Sequence, residues 1–241
     1  MTQLSIVIPA RNEADNIIAL VEAIDRALVA HAPFEIVVVD DGSTDASVAR
    51  ITDRARSMPH LRLVRHDRSG GQSAAVHSGV LAATALIVCT LDGDGQNPPE
   101  ELPKLAALLL ADTTGRIGLV AGQRVGRQDT WSKKLASRLA NALRGWLLRD
   151  GTRDTGCGLK AFRREAFLAL PYFDHMHRYL PALFARDGWQ IAHVDVSHRA
   201  RGAGRSNYSN LRRGLVGIVD LLGVAWLLRR RKKARPLPER E

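Results

Sequence analysis

Strand-length apolar runs that alternate with amphipathic stretches constrain this chain more than any other feature. Leu4 to Pro9, Phe34 to Asp40, Leu61 to His66 and Leu86 to Leu91 read as strands, and Ala14 to Ala30, Asp45 to Ser57 and Gly71 to Ala83 between them read as helices. Parallel neighbours need a crossover connection, so this order predicts a mostly parallel central sheet flanked by helices, an α/β architecture. Val37-Val38-Val39 is apolar without alternation, which suits a central strand covered on both faces. Ligands of such a sheet collect at the carboxyl ends of its strands. That rule points to Pro9 to Glu13, Asp40 to Asp45, His66 to Gln72 and Asp92 to Gln96.

Further along, Pro98-Pro99-Glu100-Glu101 suits the first turn of a helix over Leu102 to Leu110, and Thr44 or Asp45 can cap the second helix. A strand is expected at Ile117 to Gly122. Trp131 to Leu148 is amphipathic, with Trp131, Leu135, Leu139, Ala142, Leu143 and Trp146 on one face and Lys133, Lys134, Arg138 and Arg144 elsewhere. At 241 residues and 45% hydrophobic content the chain can bury one domain-sized core. Residues 1–210 are expected to form it, 211–233 a C-terminal packing or interfacial helix with a basic cluster, and 234–241 a disordered tail. Cys89 and Cys157 lack His or Cys neighbours at ligand spacing and read as buried reduced thiols. The first residues lack the basic n-region and the length of a signal peptide, so a cytoplasmic location is expected.

The formal net charge is +10, and its excess lies in Arg124 to Arg164 and Arg199 to Arg235. Nucleic acid, a phosphorylated substrate or an anionic membrane surface would each answer such a charge. Nucleic acid is disfavoured: no helix-turn-helix, zinc-finger or RNP pattern occurs, and aromatics make up only 5% of residues. Neither G-x-G-x-x-G after a strand nor G-x-x-x-x-G-K-[ST] is present.

Asp92-Gly93-Asp94-Gly95-Gln96 puts two carboxylates on a glycine-loosened turn at a strand's carboxyl end. Mg²⁺ or Mn²⁺ held by one or two carboxylates keeps positions open for substrate phosphates. The same residues also read as an acidic turn that ends a strand. Asp40-Asp41-Gly42-Ser43-Thr44-Asp45 repeats the arrangement, with Asp41 a candidate for a base or ribose contact, and Glu13 is placed to meet the ribose from the other side. A helix cap alone would explain much of the first of these segments, and in isolation an ordinary first-turn glutamate is the plainer reading of Glu13.

Together with Ile6-Val7-Ile8-Pro9-Ala10-Arg11-Asn12-Glu13, the continuation Asp92 to Glu100, and Asp154-Thr155-Gly156-Cys157-Gly158, these segments resemble the inverting glycosyltransferases of family 2. The closest pattern is that of the polyprenyl-phosphate sugar transferases, such as the dolichyl-phosphate mannose synthase and undecaprenyl-phosphate glycosyltransferase types. The resemblance runs from about Leu4 to about Arg230, and the aspartate pair followed by Gln96 and Pro98-Pro99 carries its lipid-phosphate branch. It implies a GT-A fold with a Rossmann-like sheet, C-terminal amphipathic helices on the membrane side, and a metal-dependent transfer of a mannose- or glucose-class sugar from a nucleotide diphosphate to a polyprenyl phosphate. Carried over, it assigns Pro9, Ala10, Glu13, Asp41 and Asp92 to the nucleotide and Asp92 and Asp94 to the metal. Asp94, Gln96, Arg124 and Arg201 fall to catalysis, and Lys133 and Ser137 to the acceptor phosphate, with Arg199 the alternative to Arg201 as the arginine that closes over the diphosphate. Asn207 stands where many relatives have lysine, and much of the transmembrane sequence that several relatives append is missing.

Charge sets the expected mechanism. A phosphomonoester, with a second pKa of about 6, is largely an anionic nucleophile at neutral pH and needs no strong base. Catalysis then rests on positioning and on neutralising the departing diphosphate. Asp154 either orients the acceptor or braces an arginine, and as a plainer alternative it caps a turn; His175, His177 and His193 read as surface or core residues, and His198 as structural. Gly214 to Leu228 is too short for the roughly 20 residues of a membrane span, and Asp220 within it adds cost. An interfacial helix on the cytoplasmic face of an anionic membrane is the cheaper arrangement, with packing on the domain or a homo-oligomer contact as alternatives. The rival readings are transfer to a hydroxyl acceptor, which needs a general base, and a nucleic-acid module. The Q-x-x-R-W element of processive synthases is absent.

Overall fold

The structure is a computed structural model. It describes residues 2–31, 33–125, 144–145, 147–148, 150–199, 210–230 and 234, with side chains of the last helix described from 217 onward. Its strands are β1 (Leu4–Ala10), β2 (Phe34–Asp40), β3 (Leu61–Arg65), β4 (Ile87–Thr90), β5 (Ile117–Arg124), β6 (Lys160–Arg163) and β7 (Gln190–Val196). The helices are α1 (Ile17–Leu28), α2 (Ser47–Ala55), α3 (Gln72–Ala82), α4 (Leu102–Leu110), α5 (Arg164–Leu168), α6 (Leu180–Arg186) and α7 (Asn210–Arg229), with 3₁₀ turns at Pro99–Glu101 and Met176–Arg178.

One seven-stranded sheet runs β3-β2-β1-β4-β6-β5-β7. The pairs β1–β2, β2–β3, β1–β4 and β5–β7 are parallel, and β6 lies antiparallel between β4 and β5. The chain steps from β1 out to β3 and then returns to place β4 on the other side of β1. The carboxyl ends of β1 and β4 therefore flank a switch point, where an open α/β sheet forms its ligand crevice.

The two-sided burial expected of Val37 to Val39 is observed. Ile36 and Val38 join the cluster under α1, α2 and α4, while Val37 and Val39 join the one under α3, α5, α6 and α7. Phe162 of β6 anchors the second cluster, stacked 4.8 Å from Phe167 and tilted 6.0 Å from Phe184; aromatic side chains of this kind bury roughly 150–250 Å² each. Cys89 and Cys157 are buried and free, and burial pushes the Cys89 thiol up to about 12.

Helix α2 begins two residues after the expected start, because Asp45 Oδ1 accepts the Ser47 N–H (2.9 Å) while its Oδ2 accepts the Ala14 N–H (3.1 Å). Most of the segment Trp131 to Leu148 lies outside the described residues. At its end Arg144 is buried, with Nη1 donating to Asp150 (2.6 Å) and Nη2 to the Thr152 carbonyl. Helix α7 uses two faces. Val224 and Ala225 are buried, and Leu221, Leu227 and Leu228 pack on the second cluster, whereas Ile218, Val219, Leu222 and Trp226 are 57–69% exposed. Arg186 donates to the Leu227 carbonyl (3.1 Å), a cationic cap on the helix's C-terminal end. Asp220 lies 3.0 Å from His175 Nδ1. Among the described residues no helix is long and apolar enough to cross a membrane.

Candidate active site

The three predicted loops meet at the carboxyl edge of the sheet. Asn12, with φ 55°, turns its side chain to accept the Thr44 N–H (2.8 Å), and its own N–H donates to Ser43 Oγ (2.9 Å). The Glu13 N–H donates to Ser47 Oγ (3.0 Å), and its carboxylate accepts from Asn16 Nδ2 (2.8 Å). The loops after β1 and β2 are thereby clasped, which sets Pro9, Ala10 and Glu13 beside one wall of the crevice.

Asp41 is buried and held at both oxygens. It accepts from the Gly70 N–H (2.8 Å), the Gly71 N–H (2.9 Å) and Ser69 Oγ (2.7 Å), and His66 Nδ1 lies 2.8 Å away. Burial alone would raise its pKa, but these hydrogen bonds outweigh it and hold the carboxylate below its ordinary value. A carboxylate has about four lone-pair sites, so in this structure Asp41 acts through the 66–71 loop that it orders. Gly42 allows that loop to close: its φ is +70°, and a Cβ there would stand 2.8 Å from the Ser69 nitrogen.

Asp92 and Asp94 follow β4 directly. Asp92 accepts Gln72 Nε2 at Oδ1 (2.7 Å) and Asn97 Nδ2 at Oδ2 (3.3 Å). Gly158 stands so close that a Cβ on it would lie 2.4 Å from Asp92 Oδ2. Asp94 Oδ1 accepts the Gln96 N–H (3.1 Å), and the Gln96 carbonyl accepts the Arg199 N–H (3.0 Å). Burial first, and then the charge of Asp94, push the Asp92 carboxyl above the usual range, with Lys160, Asn97 and Arg124 opposing. Two carboxylates that raise each other's cost in a buried crevice suit a divalent cation. Among the described residues no third His, Cys, Asp or Glu joins them; a pair leaves coordination positions to substrate oxygens, as Mg²⁺ commonly requires.

Arg124, at the end of β5, forms a two-point ion pair with Asp154: Nε to Oδ2 at 2.6 Å and Nη2 to Oδ1 at 2.8 Å. Gln123 Oε1 accepts the N–H groups of Arg153 and Asp154 and so fixes the turn that carries the brace. The Asp154 carboxylate also accepts the Gly156 N–H (3.2 Å), so bracing and turn-capping coexist. The chain leaving β7 is strapped to the aspartate loop, where Ser197 Oγ donates to Glu101 (2.8 Å) and Arg199 pairs with Glu100 (3.1 Å). Arg199 thus spends its guanidinium on Glu100. Arg201, Lys133 and Ser137 lie outside the described residues.

A cavity of about 280 Å³ opens beside Asp92 on the α3–α6 side of the sheet. Its wall includes Gln72, at the end of a segment the strand-end rule pointed to, and Lys160, His177 and Arg178, none of which was singled out from sequence for this site. Lys160 follows Asp154 to Gly158 with only Leu159 between, and pairs with Thr90 across the β4–β6 ladder, which puts it at the same sheet edge as Asp92. That continuity was the available signal. His177, read as surface or core, instead meets Ser73: the His177 N–H donates to Ser73 Oγ (3.2 Å), and the hydroxyl lies 2.7 Å from His177 Nδ1. Burial, and then the charges of Arg178, Lys160 and His175, push His177 well below its ordinary value, so it is neutral at pH 7.

An open sheet whose switch point carries a glycine-flanked carboxylate pair, opposite a braced arginine, is the GT-A arrangement of a sugar-transferring enzyme. The chain belongs to glycosyl transferase family 2, whose sequence profile matches residues 5–170. It is 35% identical over 239 residues to the dodecaprenyl-phosphate galacturonate synthase of Rhizobium johnstonii, covering 97% of this chain and 69% of that protein. It is also 35% identical over 225 residues to the undecaprenyl-phosphate 4-deoxy-4-formamido-L-arabinose transferase of Sodalis glossinidius, covering 91% and 65%. The chain thus spans about two thirds of the length of these relatives. Among solved structures it resembles glucosyl-3-phosphoglycerate synthase from Mycobacterium tuberculosis in complex with Mn²⁺, UDP and phosphoglyceric acid, with TM-score 0.70, 25% identity, and coverage of 93% of this chain and 78% of that one.

Proposed function

We propose that the chain transfers a sugar from a nucleotide diphosphate sugar to a polyprenyl phosphate, inverting the anomeric carbon, at the cytoplasmic face of an anionic membrane. The observation that carries this is the Asp92–Asp94 pair at the switch point with Arg124 clamped by Asp154. Both relatives are named for a prenyl phosphate, which supports the acceptor class. Asp92 and Asp94 are the residues to hold Mg²⁺ or Mn²⁺, and the solved neighbour's Mn²⁺ and UDP support that role. When bound, the ion supplies charge neutralisation for the diphosphate.

The remaining work falls to the chain's own groups. Pro9, Ala10 and Glu13 line the nucleoside side, and Asp41 supports it through the 66–71 loop. Gln72 and Asn97 hold the Asp92 carboxylate in one orientation. Asp154 fixes the Arg124 fork in the plane from which it meets the departing phosphate oxygens. Gln96 ties the aspartate loop to Arg199 and hence to the chain that leads into Arg201. With Lys133 and Ser137 on the acceptor phosphate, an already anionic nucleophile needs placement more than deprotonation.

Helix α7 supplies the membrane contact. Its exposed Ile218, Val219, Leu222 and Trp226 continue into Arg229 and Arg230, the latter over the Trp226 ring at 5.8 Å. Tyr179 OH bonds the Gly217 carbonyl (3.4 Å), two residues after His177, so this helix lies on the cavity's side of the sheet. A mannose- or glucose-class sugar is the starting expectation; a panel of nucleotide sugars with Mn²⁺, followed by incubation of the best binder with polyprenyl phosphate, decides it. Asp94→Ala should abolish both transfer and metal-dependent nucleotide binding. Activity retained at saturating Mn²⁺ would remove the metal assignment.

A further inference from the structure

The cavity beside Asp92 holds more positive charge than the proposed chemistry has used. Lys160 is 5% exposed, and its ammonium makes one hydrogen bond among the described residues, to the Cys157 carbonyl. Arg178 lines the same wall, and among the described residues its guanidinium donates to no acceptor. Val76, Leu91 and Leu180 make up much of the remaining surface. Lys160 is withdrawn from water with most of its N–H donors unspent, which is costly unless an anion completes it, and the partly buried Arg178 adds a second cation to the same wall. Asp92 shares that wall, but one lone pair on each of its oxygens already accepts from Gln72 or Asn97, which leaves it only part of its acceptor capacity for them. His177 adds no competing charge, since it is neutral and tied to Ser73.

Size narrows the occupant. At about 280 Å³ the cavity falls just below the roughly 300–1,000 Å³ of drug-sized sites, room for a sugar ring with a charged group and not for a whole nucleotide sugar or a prenyl chain. We propose that Lys160 and Arg178 form an oxyanion subsite for the donor, separate from the Asp92–Asp94 pair and from Arg124. The oxyanion is either a carboxylate on the transferred sugar or an oxygen of the donor diphosphate. This rests on the reading that the chain binds a nucleotide diphosphate sugar.

The test uses the full chain with Mn²⁺ and isothermal titration of UDP, UDP-glucose and UDP-glucuronate against wild type, Lys160→Met, Lys160→Arg and Arg178→Gln. Methionine keeps the buried length of Lys160 and removes its charge, and thermal melting verifies that each variant is folded. Loss of a charge-assisted hydrogen bond should weaken binding on the order of tenfold or more, with partial recovery in Lys160→Arg. A loss confined to UDP-glucuronate assigns the subsite to a sugar carboxylate; an equal loss for all three ligands assigns it to the diphosphate. Folded Lys160→Met and Arg178→Gln proteins that bind all three ligands as wild type does overturn the subsite and leave the glycosyltransferase reading intact. A wild-type chain that binds neither these three nor their GDP and dTDP counterparts overturns the donor reading, and the subsite with it.

Discussion

Alanine in place of Gly158 tests whether the Asp92 position governs the chemistry. The new Cβ would lie 2.4 Å from Asp92 Oδ2, 2.5 Å from Cγ and 2.7 Å from Oδ1, against 3.4–4 Å for ordinary contact, an overlap of about 1 Å. Gly158 is not in the left-handed region, so the backbone tolerates alanine and the strain falls on the neighbour. The Asp92 carboxylate must swing away, which breaks the 2.7 Å bond from Gln72 and the 3.3 Å bond from Asn97. A displacement of about 1 Å at a reacting centre can cost on the order of a hundredfold in rate, equivalent to about 2.7 kcal/mol of barrier. The expected result is a kcat/KM near one hundredth of wild type, with weaker Mn²⁺ binding by electron paramagnetic resonance and a melting temperature within a few degrees. In an Asp92→Ala background the alanine at 158 meets no carboxylate, so its further effect on metal binding should vanish, a non-additivity diagnostic of direct contact. Equal effects in both backgrounds, or wild-type turnover in the single variant, would refute the reasoning.

Glu35 supplies a pH prediction far from the chemistry. It is buried, and although burial would raise its pKa, hydrogen bonds from Ser5, Thr84 and Arg62 hold it at about 2 instead of 4.5. A depressed carboxylate contributes stability above its unfolded value, and that contribution is lost as pH falls from about 4.5 toward about 2. Urea melts of Glu35→Gln should show a deficit of about 2 kcal/mol at pH 7, after allowance for solvent screening, that shrinks toward pH 3; a deficit independent of pH would contradict the assignment. For the membrane contact, Leu222→Glu with Trp226→Ala removes apolar surface from the exposed face of α7 and leaves the packed Val224 and Ala225 in place. The pair should abolish co-sedimentation with anionic liposomes without changing the melting temperature, and unchanged sedimentation would refute an interfacial role. Deleting the whole helix is the weaker experiment, because it also strips the second core cluster.

The part of the fold legible in sequence was the part whose physics is local. Strands β1, β2 and β4 are covered on both faces, so they appear as largely apolar runs between turn residues, whereas β3, at the sheet's edge, carries Arg62 and Arg65 among its apolar residues; the predicted limits of all four fall within a residue of those observed. The aspartates after β4 were legible for the same reason: a strand end is a local event, and it fixes where Asp92 emerges. Strand β6 gives no such signal. It is four residues long, and its first inward-facing residue is the cation Lys160. Its antiparallel insertion between β4 and β5 depends on pairings roughly 40 and 70 residues away in sequence. The cavity is hidden in the same way, since Lys160 and Arg178 come from two separate segments that meet Gln72 only in the fold. Arg144 shows a related gap. Periodicity only kept it off the apolar face, and the burial of its charge against Asp150, beyond the helix, comes from the fold. Residues that end strands were thus found from sequence, whereas residues whose role is to neutralise a charge set by another segment were not. The Asp154 brace on Arg124 belongs to both groups: its turn was visible in the glycines that follow it, and the arginine it pairs with is brought to that turn by β5.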